Sequence, residues 1–365
     1  MAPVPPEKRT RGKSAFVTYW FSDLVTILTW SFGSVMLTIG LTATDAVLIV
    51  LVAALCNAVP TVLTGAIGSN LYISFSHRIA REFRFGVPTA NGGTCVVAII
   101  NSIWPNFRTM ANHLPESVGL TTAGMISYFL YWLAQFLFQL ISTHKLQYML
   151  WVKTVLLPPV TVGMPIWVAV QAGGNGTFFT RPPAVHGSER AWLWLSSMTS
   201  ITGGYSTLAV NILNFSRFSR DPRAVNIGAN AVSFANDVTT LAPRYFNIIV
   251  ASGKAFLDFM SAYAIFMAPI AGALFTDYWL LKHRKYDVPT LYDLYGIYQY
   301  GRYGINWRAA AATFVTIIPL LPGLANKVNS DLELTEGLRN LFTFNWLYGF
   351  YLSMYLYYFA NFFFP

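Results

Sequence analysis

The sequence predicts an all-α polytopic membrane protein, and three observations lead to that fold class. Hydrophobic residues make up 55% of the 365 residues and charged residues only 11%, whereas an ordinary soluble domain carries about 25% charge. The few charges are spaced so that long stretches contain none. Strict alternation of polar and apolar residues is absent, which argues against a β-barrel. Because backbone groups in lipid must pair with one another, a bundle of helices is the expected fold.

Nine stretches without Asp, Glu, Lys or Arg approach or exceed the ~20 residues that a helix needs to cross the hydrocarbon layer. They are Leu24–Thr44, Ala46–His77, Phe85–Phe107, Ser117–His144, Thr154–Thr180, Ala191–Ser216, Phe259–Thr276, Ala309–Asn326 and Asn340–Pro365. A tenth stretch, Ala224–Asn236, is shorter and polar. We therefore predict nine or ten transmembrane helices in a single domain at 16–365, preceded by a cytosolic segment at 1–15.

The net charge of +9 has two explanations, a nucleic-acid partner or a preferred orientation in the membrane. The basic residues are scattered between the predicted spans, which favours orientation, because positively charged loops stay in the cytosol. The N-terminus and two basic loops should therefore share the cytosolic face. These basic residues are Lys8, Arg9, Arg11 and Lys13, then Arg78, Arg81 and Arg84, and finally Lys282, His283, Arg284 and Lys285.

Enzyme chemistry has little support in the sequence. No G-x-S-x-G motif, P-loop or metal-spaced His/Cys group occurs, and the five histidines are scattered in loops, where we expect them to be solvated. Cys56 and Cys95 both lie in apolar stretches, so we expect them to pack as free thiols. The sequence therefore predicts neither catalytic residues nor a metal site.

Two Gly-containing stretches are candidates for interrupted helices, which transporters use to bind substrates at mid-membrane. They are Thr29-Trp30-Ser31-Phe32-Gly33-Ser34 and Ile201-Thr202-Gly203-Gly204-Tyr205-Ser206. The alternative is that these small residues let neighbouring helices pack closely. Both explanations are compatible with the sequence.

Polar groups inside predicted spans fall into two sets. For Asp23, Lys153, Asp258 and Asp277 we favour capping or snorkelling at the membrane interface. The second set holds four polar side chains within twelve residues, too many for a helix that faces lipid, and it must look into protein or a polar cavity. Its members are Asn226, Asn230, Asn236 and Asp237.

Specific motifs occur in order along nearly the whole chain. The most specific are Asn236-Asp237-Val238-Thr239-Thr240-Leu241-Ala242-Pro243-Arg244-Tyr245, Pro269-Ile270-Ala271-Gly272 with Asp277-Tyr278-Trp279, Tyr286-Asp287, and Asn306-Trp307-Arg308-Ala309. Earlier motifs include Tyr19-Trp20-Phe21-Ser22-Asp23, Ile103-Trp104-Pro105 and Asn112-His113-Leu114-Pro115. Together they resemble the Fur-type branch of the nucleobase:cation symporter-1 family, which includes fungal permeases for uracil, allantoin, uridine and thiamine.

The resemblance implies a LeuT-like core of two inverted five-helix repeats plus two further helices. It implies a plasma-membrane symporter that takes up a nucleobase, allantoin or a related heterocycle such as uridine or thiamine. Fungal members are thought to co-transport a proton, and no cofactor is expected. The expected partners are the small heterocyclic substrate and the lipid bilayer, not nucleic acid, and the oligomeric state is left open.

The resemblance also assigns roles to six residues. Tyr205 matches an aromatic residue that stacks on the substrate ring, and Asn230 matches an amide that hydrogen-bonds its polar edge. Thr26 matches a polar residue that approaches the substrate, and Asp237 matches an acid that is important for function. A further pair, Ser22 and Val25, matches a sodium site of bacterial members, although Val25 has no side-chain oxygen to offer.

Three departures separate the chain from the family pattern. Near Pro88, Arg223 and Ile249 we predict missing segments, so that the family's third helix is partly absent and its seventh and ninth helices are largely absent. The missing part of the third helix should carry a Trp and a Gln that bind substrate. Loss of the seventh helix would invert the eighth, and loss of the ninth would restore the orientation from Phe256 onward. The alternative function is therefore a truncated, non-transporting paralogue or a defective gene product.

Overall fold

The computed structural model describes most of the chain and divides it into two compact units, residues 1–75 with 156–365, and residues 76–155. The described residues are 3–12, 14–16, 18, 27–72, 93, 95–107, 109–114, 121–139, 143–171, 173–174, 181–220, 253–292, 306–328 and 332–364.

Ten labelled helices account for most of these residues, which contain no β-strand. They are α1 (Ile27–Thr38), α2 (Ala43–Leu71), α3 (Thr122–Gln139), α4 (Thr143–Gln171), α5 (Gly187–Ser216), α6 (Gly253–Phe275), α7 (Trp307–Ile317), α8 (Leu321–Val328), α9 (Glu336–Thr343) and α10 (Asn345–Phe363). A π-helical turn, Thr276–Leu281, continues α6, and a 3-10 turn, Ile318–Leu320, joins α7 to α8. Pro319 and Pro322 lack the N–H groups that a single regular helix would need there.

Each of the nine charge-free stretches contains a helix, as predicted. Four helical segments within the described residues are long and apolar enough by themselves to cross a membrane. These are Ala43–Leu71, Trp151–Gln171, Met260–Leu281 and Trp307–Lys327. The predicted class, an all-α polytopic membrane protein, is therefore confirmed.

In the larger unit, α2 and α5 pack side by side and run in the same direction. Arg190 pairs with Asp45 at one end, and the Thr64 hydroxyl donates to the carbonyl of Ala209 farther along; both contacts join residues 145 positions apart. Because the contacting residues keep the same separation in sequence along both helices, the two helices are parallel. We call the end with Asp45 and Arg190 the Asp45 end.

The opposite end holds the N-terminal segment, and we call it the Arg11 end. The backbone N–H of Val4 donates to the carbonyl of Tyr72, just after α2, and Arg11 forms an isolated bridge with Ser219, just after α5. The guanidinium of Arg9 lies 3.4 Å above the ring of Tyr72. The N-terminal segment therefore lies against the ends of both helices.

The helix α6 runs in the same direction as α2 and α5. Met260 near its start meets Gly203 of α5, and Tyr278 just after its end meets Asn70 near the end of α2. The helix α10 is parallel to α6, because Asn345 donates to the carbonyl of Ser261 and Ser353 donates to that of Pro269, and both pairs are 84 positions apart. The α7–α8 pair runs the other way, since Asn306 before α7 meets Tyr357 and Lys327 meets Asp258 on the Asp45 side, 2.6 Å apart.

A hydrophobic core cluster of the larger unit lies where α5, α6 and α10 meet. It contains both small and large apolar residues, and hydrogen bonds such as that of Asn345 join α6 to α10. Its buried members are Ala209, Val210, Ala264, Met267, Ala268, Ala271, Trp346 and Phe350. Such small residues let membrane helices approach closely, and dispersion contacts then stabilise the bundle.

The smaller unit contains α3 and a helical stretch at 95–103. Gly93 sits against Tyr128 of α3, where an added Cβ would lie 2.9 Å from the Cα of Tyr128. The Asn112 side chain accepts hydrogen bonds from the backbone of Leu114 and from Thr122, which opens α3. The motif that contains Asn112 is therefore a structural turn, and its neighbour His113 is exposed, as predicted.

Candidate substrate-binding site

Tyr205 lies near the middle of α5, inside the larger unit, with only 7% of its surface exposed. Its ring meets that of Phe32 on α1, which is 1% exposed, with centroids 6.1 Å apart and planes tilted by 53°. This distance is within the range of favourable aromatic pairs. The structure therefore places the predicted stacking residue in a buried aromatic environment between two helices.

Of the two explanations for Gly203-Gly204, an interrupted helix is excluded, because α5 runs without a break from Gly187 to Ser216. A Cβ added at Gly203 would lie 2.3 Å from the carbonyl oxygen of Met260 on α6. The glycine is therefore needed for close packing of two helices, the alternative that the sequence had left open. The Ser206 hydroxyl donates to the carbonyl of Gly203 within the same helix, at 2.6 Å.

The other candidate interruption, around Gly33, is excluded for the same reason. The helix α1 is continuous from Ile27 to Thr38. Phe32 on this helix contacts Gly204 as well as Tyr205, since a Cβ at Gly204 would lie 3.1 Å from the tip of the Phe32 ring. The two glycine-containing stretches do meet in the structure, as packed helices.

Buried polar atoms lie on α2 and α5, on the Asp45 side of Tyr205. The side-chain oxygens of Asn57, Ser197 and Thr199 are buried and have no hydrogen-bond partner among the described residues. By the 145-residue separation of α2 and α5, Asn57 lies level with Thr202, one turn from Tyr205. Sequence analysis missed Asn57. A buried amide in an apolar stretch is the signal that would have found it.

The Asp45 end is closed by a buried carboxylate that sequence analysis also missed. Asp45 is 6% exposed and accepts hydrogen bonds from Arg190, from the Thr42 hydroxyl and from the Thr42 backbone N–H. Thr42 in turn accepts from the Asp45 N–H, which completes a capping box at the start of α2. The T-x-x-D pattern before an apolar run was the available signal.

An open cavity of about 450 Å³ lies on the Asp45 side, between α5, α8 and α9. Both signs of charge are present among its lining residues, which include Glu189, Trp192, Lys327, Glu336 and Arg339. Tyr205 is not among them and lies farther along α5. The cavity is therefore separate from Tyr205, the one predicted substrate-binding residue that the structure describes.

Five of the six residues with assigned roles lie outside the described residues, and their roles stay predictions. They are Ser22, Val25, Thr26, Asn230 and Asp237. Of the candidate interfacial charges, Asp258 pairs with Lys327 and Lys153 is exposed, while Asp23 is not described. Asp277 lies near the end of the apolar helical segment Met260–Leu281, and its carboxylate accepts hydrogen bonds from Tyr286 and Tyr357; its interfacial position stays a prediction.

A family profile now connects these features to known proteins. The profile of a permease family for cytosine/purines, uracil, thiamine and allantoin matches residues 3–87, 78–229 and 223–349. The chain belongs to this family. It is a transporter and not an enzyme, and its apolar helices make it an integral membrane protein.

Full-length relatives are consistent with that assignment. An uncharacterised permease of Schizosaccharomyces pombe is 25% identical, and the match covers 100% of this chain and 83% of the relative. The allantoin permease of Saccharomyces cerevisiae is 23% identical over 100% of this chain and 75% of its own length. For the uracil permease of the same yeast these values are 23%, 100% and 76%.

Solved structures show the same fold. Mhp1, a nucleobase-cation-symport-1 family transporter in a closed conformation with bromovinylhydantoin bound, superimposes with a TM-score of 0.68 at 13% identity, covering 99% of this chain and 94% of Mhp1. Its inward-facing conformation gives a TM-score of 0.63 at 12% identity. The LeuT-like fold predicted from the family resemblance is therefore confirmed.

Proposed function

We propose that this chain is a secondary active transporter that takes up a nucleobase, allantoin or a related heterocycle, such as uridine or thiamine, together with a cation. The observation that carries the proposal is the family match, which runs through three segments of the chain. The names of the yeast relatives, an allantoin and a uracil permease, supply the substrate class.

The chemistry of such substrates suits the predicted site. A flat ring with amide edges gains most from an aromatic face and paired amide hydrogen bonds. Tyr205 offers the aromatic ring, and its burial beside Phe32 excludes water from it. In this proposal Asn230 pairs with the amide edge and Thr26 approaches the ring. An amide left unpaired there would cost ~1–3 kcal/mol.

For the coupled cation we propose a proton, with Asp237 as the residue that supports coupling or gating. A carboxylate inside the membrane region is costly unless it has a function or a partner. A sodium site at Ser22 and Val25 is the weaker alternative, because Val25 offers only a backbone oxygen. Uptake that follows an imposed pH gradient in sodium-free buffer is the expected result, and strict dependence on sodium would exclude the proton.

We further propose the plasma membrane as the location, with the N-terminus in the cytosol. The positions of Arg9, Arg11 and Arg284 support this orientation, since all three lie at the Arg11 end of the larger unit. Cysteines placed at Ser330 and Lys285 test it in intact cells. Labelling from outside is expected at position 330 and not at 285, and the reverse pattern contradicts the orientation.

The predicted missing segments have support from the comparisons. The family match consists of three segments that overlap at 78–87 and at 223–229, next to two of the three predicted junctions. The alignment with the S. pombe permease runs over 468 positions although this chain has 365 residues, so roughly 100 positions have no counterpart here. We propose that the lost Trp and Gln of the third helix weaken binding by ~2–4 kcal/mol, roughly thirtyfold to a thousandfold.

Uptake of radiolabelled substrates by a yeast strain without its own uracil and allantoin permeases tests the proposed function. The chain should give saturable uptake at concentrations roughly thirtyfold to a thousandfold above those needed by the yeast uracil permease, assayed in parallel. Surface-localised protein with no uptake at any concentration would count against transport. Uptake with the affinity of the yeast permease would instead count against the loss of binding groups.

A further inference from the structure

Several family motifs have no place in the proposed binding site, yet the structure brings them together at the Arg11 end. Asp277 follows α6, Tyr286 lies in the loop after it, Asn306 precedes α7, and Tyr357 lies near the end of α10. We call these four residues the Asp277 cluster. They come from positions up to 80 residues apart in the sequence.

The Asp277 carboxylate is the centre of this cluster. The Tyr357 hydroxyl donates to its Oδ1 atom at 3.0 Å, and the Tyr286 hydroxyl donates to its Oδ2 atom. Hydrogen bonds to an ionised group are stronger than those between neutral groups. One carboxylate therefore ties the loop after α6 to α10.

The network extends from Tyr357 to the start of α7. The side-chain amide of Asn306 donates to the Tyr357 hydroxyl at 2.7 Å, and its carbonyl accepts from the backbone N–H of Ala309 as the cap of α7. Tyr357 also accepts at its backbone carbonyl from Asn361, whose side chain in turn accepts from Arg308. The start of α7 is thus fixed to the end of α10.

The π-helical turn that contains Asp277 also contacts α2. A turn of this kind is wider than an α-helical turn and is frequent at functional sites. Tyr278 accepts a hydrogen bond from Asn70 at 3.1 Å, and the Trp279 indole donates to the carbonyl of Leu63 at 3.0 Å. The ring of Tyr286 stacks on that of Tyr278, 6.0 Å away. The turn therefore joins α2 to α7 and α10.

The loop that Tyr286 anchors is strained. His283 and Arg284 have φ angles of 48° and 64°, in the left-handed region that residues other than glycine rarely adopt. Such a conformation persists only where its surroundings hold it, and it is frequent in segments that switch. Among the contacts that hold this loop are the Arg284 N–H, which donates to the carbonyl of Tyr278 at 2.8 Å, the Arg284 guanidinium, which lies over the Trp279 ring, and the Tyr286 hydroxyl, which donates to Asp277.

We propose that the Asp277 cluster is a latch at the Arg11 end of the bundle. Asp277 is its positioning residue, and it holds the strained loop and the ends of α7 and α10 in one arrangement. Opening of the latch lets the loop relax and frees α2 from the α7–α10 side. In transport, the latch sets the rate of the conformational step and not the affinity for substrate, and this part rests on the proposed function.

Limited trypsin digestion of the purified full-length chain tests the latch without any need for transport. The loop offers cleavage sites after Lys282, Arg284 and Lys285, and the new N-termini are quantified by mass spectrometry. Tyr286→Phe keeps the stacked ring and removes only the hydroxyl. It should speed cleavage in this loop about tenfold, the factor expected for one hydrogen bond to a charged group. Asp277→Asn should have at least the same effect.

Tyr355→Phe is the matched control, because Tyr355 lies on α10 two residues from Tyr357 and is 54% exposed. It should leave the cleavage rate unchanged. Equal cleavage of this control, the native chain and Tyr286→Phe would overturn the latch. Should Asp277→Asn fail to fold, Tyr286→Phe alone decides the question, since it alters no charge and leaves no cavity.

Initial uptake rates test the second part of the proposal. Tyr286→Phe should change the maximal rate at least threefold and leave KM within twofold, whereas a residue that merely stabilises the fold would change the amount of surface protein. A changed KM at an unchanged maximal rate overturns the role of the latch in transport. Absence of uptake by the native chain overturns the proposed function, and trypsin cleavage then decides the latch by itself.

Discussion

Gly203→Ala is the variant that most directly tests the continuous, closely packed α5 helix. The added Cβ would lie 2.3 Å from the carbonyl oxygen of Met260 and 3.0 Å from the Cβ of Ala264. The first is a backbone atom of α6 and the second is bonded directly to that backbone. Neither can rotate away, so the two helices must separate. Overpacking of this kind costs ~1–3 kcal/mol of the free energy of unfolding.

Gly204→Ala is the matched control. Its added Cβ would meet the ring tip of Phe32 at 3.1 Å and the sulfur of Met260 at 3.3 Å, and both are far ends of side chains that can shift. Both variants gain the same helix propensity of up to ~1 kcal/mol, so the difference between them reports the clash. In detergent, Gly203→Ala should unfold about 1–4 °C below Gly204→Ala. Equal midpoints would mean that these glycines do not pack as described.

Three further variants follow from the structure and the family resemblance. Asp45→Ala removes a helix cap and an ion pair and should lower the free energy of unfolding by ~1–3 kcal/mol. Glu189→Ala, which removes an exposed carboxylate next to Arg190, is the control and should have little effect; equal losses in the two variants would contradict a stabilising role for the Asp45 carboxylate. Asn230→Ala should raise KM for substrates with matching amide edges at an unchanged surface level, and an unchanged KM would remove Asn230 from the site. Asp237→Asn should lower the maximal rate more than the affinity and flatten the pH dependence of uptake, whereas a retained pH dependence would exclude Asp237 from coupling.

The positions of the helices could be predicted from the sequence because a charge inside lipid is costly, so that the spacing of charges marks the spans. Whether a glycine pair breaks a helix or packs it against a neighbour could not be predicted. The Gly203-Gly204 pair is equally compatible with a broken helix and with a close helix contact. What distinguishes them is Met260, 57 positions later in the chain, and a sequence pattern does not show which residue lies opposite.

The candidate site was predicted less completely than the fold. The family resemblance assigns Tyr205 to stacking on the substrate ring, a role that stays a prediction, and the structure buries Tyr205 beside Phe32. Asn57 was not predicted, because its significance depends on the neighbouring helix. The hydrogen-bond partners of Asp277 could not be predicted either. Its partner Tyr357 is 80 residues away, and such a non-local hydrogen bond leaves no periodic trace in the sequence.

The central claim is that this chain is a permease for flat heterocycles whose ring stacks on Tyr205, and KM for uptake by Tyr205 variants tests it most directly. Uracil and allantoin are assayed for the native chain, Tyr205→Trp and Tyr205→Ala, with rates corrected for surface protein. Loss of stacking worth ~0.5–1.5 kcal/mol should raise KM about twofold to tenfold in Tyr205→Ala for both substrates, and Tyr205→Trp should match the native chain. An unchanged KM in surface-expressed Tyr205→Ala would contradict the account.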